Sequence, residues 1–437
     1  MTLSSLQDQL HARLQEQLSS EVPGAAVGVV QDDEVIHSAG YGLASLEWNI
    51  PNDADTVFKL ASISKPFTAL LVMMLESEGL LDLHVPLQTY LPDIHTAGHE
   101  VTIHHLLTHT SGIYSYTNAP EFMTHDRYFP TDPLTLMDAF MQIPFDFKPG
   151  ERYAYNNSAY HLLGVIMEQV SGQSYGDLLQ AHILTPCDMH DTQHLASPRI
   201  IPRMANGYAY DDDHPQPANY LDMSRTYAAG SLISTVNDMC RWSQKLWSGA
   251  LVPLEILERM TQPTLLNNGE THPYGYGWGL VPYDGHAIIG HTGGIFGFTT
   301  HYVHLPDDAL SVIVLTNSER ADVVANTMIT TIRETLGMPP IKRRPYVLTG
   351  HGITRILGDY VDVSGMPYTI KLNNEQKIIL ESVGFTLRLM PSSKTHFYDP
   401  AMPERVFTFS EIHNDVYTTC AVELPFKVPT TLTRVEG

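Results

Sequence analysis

Hydrophobic and polar positions change their period several times along this chain. Leu3, Leu6, Leu10, Leu14 and Leu18 form one stripe with Gln, Asp, Arg and Glu between them, the pattern of an amphipathic helix. Val22-Pro23-Gly24 breaks it. Two apolar runs, 25–30 and 35–39, joined by Gln31-Asp32-Asp33-Glu34, predict a β-hairpin. From Ser62 the period is helical again: Phe67, Leu70, Leu71 and Met74 recur at helical spacing, and Gly79 can end the run. A short helix is expected within 101–112. The stretch 114–144 reads as irregular and as a loop over a pocket. Helices follow over 159–170, stopped by Gly172, and over 237–246. Strands are expected at 276–281, 286–290, 298–305 and 309–315, then a helix over 321–336. Helices dominate the middle and strands both ends, without strand–helix alternation. This predicts an α+β domain with one antiparallel sheet assembled from both ends of the domain.

Gly337-Met338-Pro339-Pro340-Ile341-Lys342-Arg343-Arg344-Pro345 is a Pro-rich, basic break in an acidic chain and reads as a linker. Beyond it, apolar–polar alternation at 360–363, 368–372, 377–380, 386–390, 406–409 and 416–422 predicts a small antiparallel barrel or sandwich. The expected organisation is therefore a first domain over 1–338, a linker over 339–345 and a barrel domain over 346–437.

Charge narrows the function. A formal net charge of -23 argues against nucleic acid and anionic membrane surfaces. No window approaches a membrane span, and the N-terminal stripe is not a signal peptide, so a cytoplasmic location is expected. Cys187, Cys240 and Cys420 are odd in number and scattered, so buried thiols are expected rather than a disulfide framework.

Three stretches carry chemistry. Ser62-Ile63-Ser64-Lys65 opens the long helix, and positions i and i+3 share a helix face. A serine hydroxyl needs a nearby base to act as a nucleophile, and a desolvated lysine at a helix N-terminus can have its pKa lowered enough to serve. Alone, Ser-x-x-Lys is a frequent accident, and Ser62 would merely cap a helix. Tyr155-Asn156-Asn157 lies on a turn ahead of the 159–170 helix. Tyr155 could share a proton with Lys65, and Asn157 could orient Lys65 and bind a substrate amide; the bland reading puts Asn157 near a helix N-cap. Gly290-His291-Thr292-Gly293-Gly294 is a glycine-rich strand against which another backbone could lie, with the Gly294 N–H available to an oxyanion. The bland reading of His291 is a turn histidine. Two further patterns compete. Gly172-Gln173-Ser174-Tyr175-Gly176 matches a nucleophile elbow, but a helix rather than a strand precedes it, so Ser174 reads as a loop serine. His95, His99, His104, His105 and His109 suggest metal, yet no carboxylate or thiolate partners can be named, and no metal or cofactor is expected.

Taken together, the three stretches resemble the serine β-lactamase and penicillin-binding-protein superfamily. The Tyr-x-Asn form, with His in place of the third-motif Lys, is similar to its class C-like branch of esterases, D-aminopeptidases and related peptidases. Leu106-Leu107-Thr108-His109-Thr110-Ser111-Gly112, Lys148-Pro149-Gly150, 229–235 and Gly275-Tyr276-Gly277-Trp278-Gly279 are also similar to that branch. The C-terminal strands resemble the lipocalin-like barrel appended in some of these peptidases. The resemblance implies Ser62 as acylated nucleophile, Lys65 with Tyr155 as base, Asn157, His291 and Gly293 as binding and positioning residues, and an oxyanion hole from the N–H groups of Ser62 and Gly294. It implies a serine hydrolase of small esters, amides or peptides, with D-residues among the candidate substrates. Neutral histidine at 291 weakens the grip on a carboxylate, which counts against the alternative of a β-lactamase or D,D-carboxypeptidase. A non-catalytic binding protein on the same fold is the remaining alternative. The barrel is expected to cover part of the cleft or to mediate homo-oligomers.

Overall fold

The runs from the two ends of the first domain meet in one sheet. In the computed structural model, β1 (Ala25–Gln31) and β2 (Glu34–Tyr41) form the expected hairpin. They are joined by β3 (Ile289–Ile295), β4 (Phe298–Leu305) and β5 (Leu310–Thr316) in the spatial order β3-β4-β5-β1-β2, every pair antiparallel. The structure describes residues 3–18, 22–119, 122, 125–196, 199–211, 214–339, 341–362, 366–382, 385–426 and 428–435. It divides into two compact units, Met1–Thr335 and Leu336–Gly437.

Helix α1 (Leu3–Gln17) carries the leucine stripe, with Leu10 and Leu14 buried. Helix α2 (Ser64–Ser77) is different in kind. Every residue from Ser64 to Leu75 is buried, so it is apolar all round and forms the centre of the core rather than its cover. Helices α3 (Asn157–Ser171), α4 (Val236–Trp247) and α5 (Ala321–Thr335) stand where helical periodicity placed them. Gly28 of β1 opens onto α4: a Cβ there would lie 2.6 Å from Cys240 Sγ and 2.7 Å from Val236 Cγ2. Cys187, Cys240 and Cys420 are buried free thiols.

Two expectations of local structure fail for identifiable reasons. The stretch 276–281 is not a strand. Gly277 has φ +80° and its backbone closes on α2, where a Cβ would come 3.1 Å from the Lys65 carbonyl oxygen, so the glycines make a loop pressed on that helix. The stretch 114–144 is not irregular throughout. Asp132 accepts hydrogen bonds from the N–H groups of Leu134 and Thr135, and with Pro133 it starts a helix over Pro133–Met141.

Among the described residues of the second unit, nine antiparallel strands form a nearly closed barrel. The strand Thr430–Arg434 pairs with both Gly358–Val361 and Val416–Glu423, tying the end of the chain to the first strand of the unit. Its core includes Ile370, Leu380, Phe397, Phe407, Phe409 and Leu432. Among the described residues no helix is long and apolar enough to cross a membrane.

Candidate active site

Ser62 lies on a tight 3₁₀ turn, Ala61–Ile63, that leads into α2. Ala61 immediately before it has φ +49°, in the left-handed region that costs an alanine roughly 1–2 kcal/mol. Three hydrogen bonds hold this turn: Leu60 N–H donates to Leu232 O (2.8 Å), Leu232 N–H to Ser64 Oγ (3.0 Å), and Thr300 Oγ1 to Leu60 O (2.8 Å). The strain is thus carried by surrounding strands, which fix where the Ser62 hydroxyl points.

Lys65, on the first turn of α2, is fully buried. Its Nζ lies 3.1 Å from Ser62 Oγ, 2.8 Å from Asn157 Oδ1 and 2.8 Å from Ala229 O. Two of these partners are carbonyl oxygens that only accept. A neutral amine has two N–H bonds and one lone pair. The carbonyls take both N–H bonds, which leaves the lone pair facing Ser62 Oγ. Burial holds the Lys65 pKa well below the usual lysine value, which favours this neutral form.

Asn157 is the first residue of α3; the cap itself is Asn156, whose Oδ1 accepts from Ala159 N–H at 2.9 Å. Asn157 is held from both ends of its amide, Oδ1 by Lys65 and Nδ2 by Thr117 Oγ1 at 3.1 Å. Tyr155 keeps 40% of its surface open. Burial raises the pKa of its hydroxyl above the usual tyrosine value, with the nearby Ser62 hydroxyl pulling weakly the other way. Lys65 Nζ lies 4.8 Å from the Tyr155 ring centroid. Burial thus favours the neutral amine of Lys65 and the neutral phenol of Tyr155.

His291 is buried on β3. Its Nδ1 lies 2.7 Å from Thr292 O, so that nitrogen carries the proton. Burial first, and the nearby Lys65 second, lower its pKa to about 3, so Nε2 is bare and accepts from Tyr274 O–H at 3.1 Å. Tyr274 in turn lies 3.2 Å from His109 Nε2, whose Nδ1 accepts from Asn156 N–H at 3.1 Å. Every proton in the chain His109–Tyr274–His291–Thr292 therefore has one direction. His291 is neutral, and both of its ring nitrogens are committed within the protein. The His109 ring sits 4.4 Å from that of Tyr155, so the same chain braces the Tyr155 turn against β3. His109 and Tyr274 carried no such signal in the sequence. His105 and His109 do not share a helix face, because the helix ends at Leu107; His105 instead accepts from Thr102 N–H at 3.2 Å.

β3 is the edge strand beside the Ser62 turn. Ile295 and Phe298 flank a two-residue hairpin, so they exchange hydrogen bonds and alternate positions 290, 292 and 294 point their N–H and C=O away from β4. Gly290 confirms the parity by bonding outward to Gly279 in both directions, at 3.0 and 2.8 Å. The Gly294 N–H thus points off the sheet edge. Gly293 faces the other way in side-chain space: a Cβ would lie 2.2 Å from Leu60 O and 2.3 Å from Thr300 Oγ1, whereas one on Gly294 would meet nothing within 4 Å. Gly293→Ala should push β3 off the Ser62 turn, costing about 1–3 kcal/mol of stability and most of the activity. Gly294→Ala should fold like the parent. Thermal unfolding and turnover of the two variants check this.

Ser62, Asn157 and Gly294 line one cavity of about 430 Å³, with Tyr116, Leu221 and Phe296 among its apolar walls. Ser174 is elsewhere. It caps the helix Tyr175–Leu179, accepting from Asp177 N–H at 3.1 Å and donating to Asp177 Oδ2 at 2.6 Å. Ser174→Ala should cost about 0.5–2 kcal/mol of stability and leave turnover unchanged, read by melting and by initial rates.

A strained serine turn feeding a buried helix, a buried lysine behind the serine and a glycine-rich edge strand define the class of serine acyl-transfer enzymes built on a sheet and a helical region. The family model described as Beta-lactamase matches residues 8–336, and the chain belongs to that family. Penicillin-binding protein 4* of Bacillus subtilis (strain 168) is 31% identical over 403 residues, covering 86% of this chain and 88% of that protein. D-aminopeptidase of Gluconobacter oxydans is 28% identical over 381 residues, covering 84% of this chain and 71% of that one. Among solved structures, the octameric penicillin-binding protein homologue from Pyrococcus abyssi matches with a TM-score of 0.68 at 25% identity, over 99% of this chain and all of that one (100%).

Proposed function

We propose that this protein hydrolyses amide, peptide or ester bonds through an acyl-enzyme on Ser62. Lys65 takes the proton from Ser62 Oγ as that oxygen bonds to the substrate carbonyl carbon. The carbonyl π electrons move onto oxygen, and the N–H groups of Ser62 and Gly294 hold the resulting oxyanion. The oxyanion reforms the carbonyl, the leaving group departs with the bond electrons, and it receives the proton from Lys65 by way of the Tyr155 hydroxyl. Water then attacks the ester carbonyl, giving a proton to Lys65. The second oxyanion reforms the carbonyl, the C–O bond electrons go to Ser62 Oγ, and Lys65 returns the proton to that oxygen, freeing Ser62 and the acid. Asn157 keeps Lys65 aimed, and His291 with Gly293 sets β3 against the serine turn. The observation that carries this reading is the buried Lys65 Nζ, 3.1 Å from Ser62 Oγ and 2.8 Å from each of two carbonyl oxygens, Asn157 Oδ1 and Ala229 O.

The likeness to a D-aminopeptidase supports substrates with D-residues. The neutral, fully bonded His291 offers no cation to a β-lactam carboxylate, so nitrocefin should turn over far more slowly than a D-amino-acid amide. The likeness to an octameric homologue over its whole length supports self-assembly, which light scattering on a sizing column checks. The test of function is a panel of D- and L-amino-acid amides, short peptides, p-nitrophenyl esters and nitrocefin. The reading expects hydrolysis of one of the first three classes, abolished in Ser62→Ala. Turnover that survives Ser62→Ala would overturn it.

A further inference from the structure

The cavity in front of Ser62 carries one charged side chain among its described lining residues, Glu319. Its placement is specific. Glu319 N–H donates to Tyr208 O at 3.0 Å, and its Oε1 accepts at 2.9 Å from Gly297 N–H, in the hairpin turn that follows Gly294 on β3. The carboxylate is therefore fastened to the same hairpin that presents the Gly294 N–H.

No described cation neutralises it. Arg320, next in the chain, is bonded to both oxygens of Asp322 at 2.9 and 2.8 Å. Lys59 and Arg127 lie over the rings of Phe298 and Phe296, each 5.5 Å from the centroid, and neither lines the cavity. Burial lowers the pKa of both Lys65 and His291, which works against a charge on either. Among the described lining residues a molecule entering the site thus meets one carboxylate and no cation, within a protein whose net charge of -23 already favours cationic ligands at a distance.

We infer that Glu319 receives the ammonium group of the acyl half of the substrate, so that the site selects aminoacyl amides, esters or peptides with a free amine and disfavours acyl groups bearing a carboxylate. This rests on the reading that Ser62 is the acylated residue. Glu319 is exposed in the free protein, and an ammonium–carboxylate contact there supplies affinity and orientation through a charge-assisted hydrogen bond.

The test compares D-alanine p-nitroanilide with N-acetyl-D-alanine p-nitroanilide on the parent and on Glu319→Gln. Glutamine keeps an oxygen for Gly297 N–H, so the turn is preserved. The parent should prefer the free amine by about ten- to a hundredfold in kcat/KM, and Glu319→Gln should lose that factor on the free amine while leaving the acetylated substrate unchanged. An equal fall on both substrates, or a preference that survives the substitution, would overturn the inference. Fluorophosphonate labelling of both proteins separates the two levels. Labelling at Ser62 with an unchanged preference overturns the role of Glu319 alone; absence of labelling at Ser62 overturns the acyl-enzyme reading and this inference with it.

Discussion

Replacing Lys65 by methionine should lower the rate of acyl-enzyme formation by at least about a thousandfold, near the upper range for removal of a positioned general base. Methionine fills similar space but has no lone pair to take the Ser62 proton. Lys65→Arg should fare no better, because a guanidinium stays protonated and would bury a charge. Stopped-flow acylation with a p-nitrophenyl ester reads the loss directly. The same variant carries a stability signature whose sign follows from linkage. Lys65 has a folded pKa well below its unfolded value, so through the pH range between the two the unfolded chain binds the extra proton. Parent stability should therefore rise with pH toward the unfolded lysine pKa of about 10.4, by up to about 1.4 kcal/mol per pH unit from this group. Measured against Lys65→Met, the parent should gain as pH rises and lose as it falls. Denaturant midpoints of the pair at several pH values give the slope, and a flat difference would mean that Lys65 is charged in the folded protein.

The second large effect concerns Tyr155. Tyr155→Phe should reduce amide hydrolysis by about 10²–10⁴-fold, the range for a proton-transferring side chain. The loss should be much smaller for p-nitrophenyl esters, since nitrophenolate departs without a proton. That split separates a proton relay from a merely structural phenol, which would affect both substrates alike. Matched kcat values for a D-amino-acid amide and its p-nitrophenyl ester analogue provide the comparison.

The parts of this molecule readable in advance are those whose pattern repeats. The Phe67–Leu70–Leu71–Met74 spacing announced α2, and short runs set off by turns such as Pro306-Asp307-Asp308 announced β4 and β5. Ser62 and Lys65 followed from one turn of helix geometry, and the structure puts their side chains 3.1 Å apart. What escaped were contacts that no local pattern encodes. The Ala229 carbonyl that shares Lys65 comes from 164 residues away, and nothing about an alanine advertises its backbone oxygen. The directional chain through His109 and Tyr274 joins three distant segments, each unremarkable alone. The 276–281 stretch reads as a strand because tyrosine and tryptophan favour strands, and the positive φ of Gly277 against α2 makes it a loop. The barrel strands His396–Asp399 and Thr430–Arg434 are short and polar at their rims, and only pairing with their neighbours reveals them.

The most direct test of the central claim is to trap the acyl-enzyme position with a fluorophosphonate, weigh the intact protein and map the labelled peptide. A single adduct on the peptide containing Ser62, absent from Ser62→Ala and strongly slowed in Lys65→Met, is the predicted result. An adduct on Ser174, or none on Ser62 in protein that hydrolyses its substrate, would contradict it.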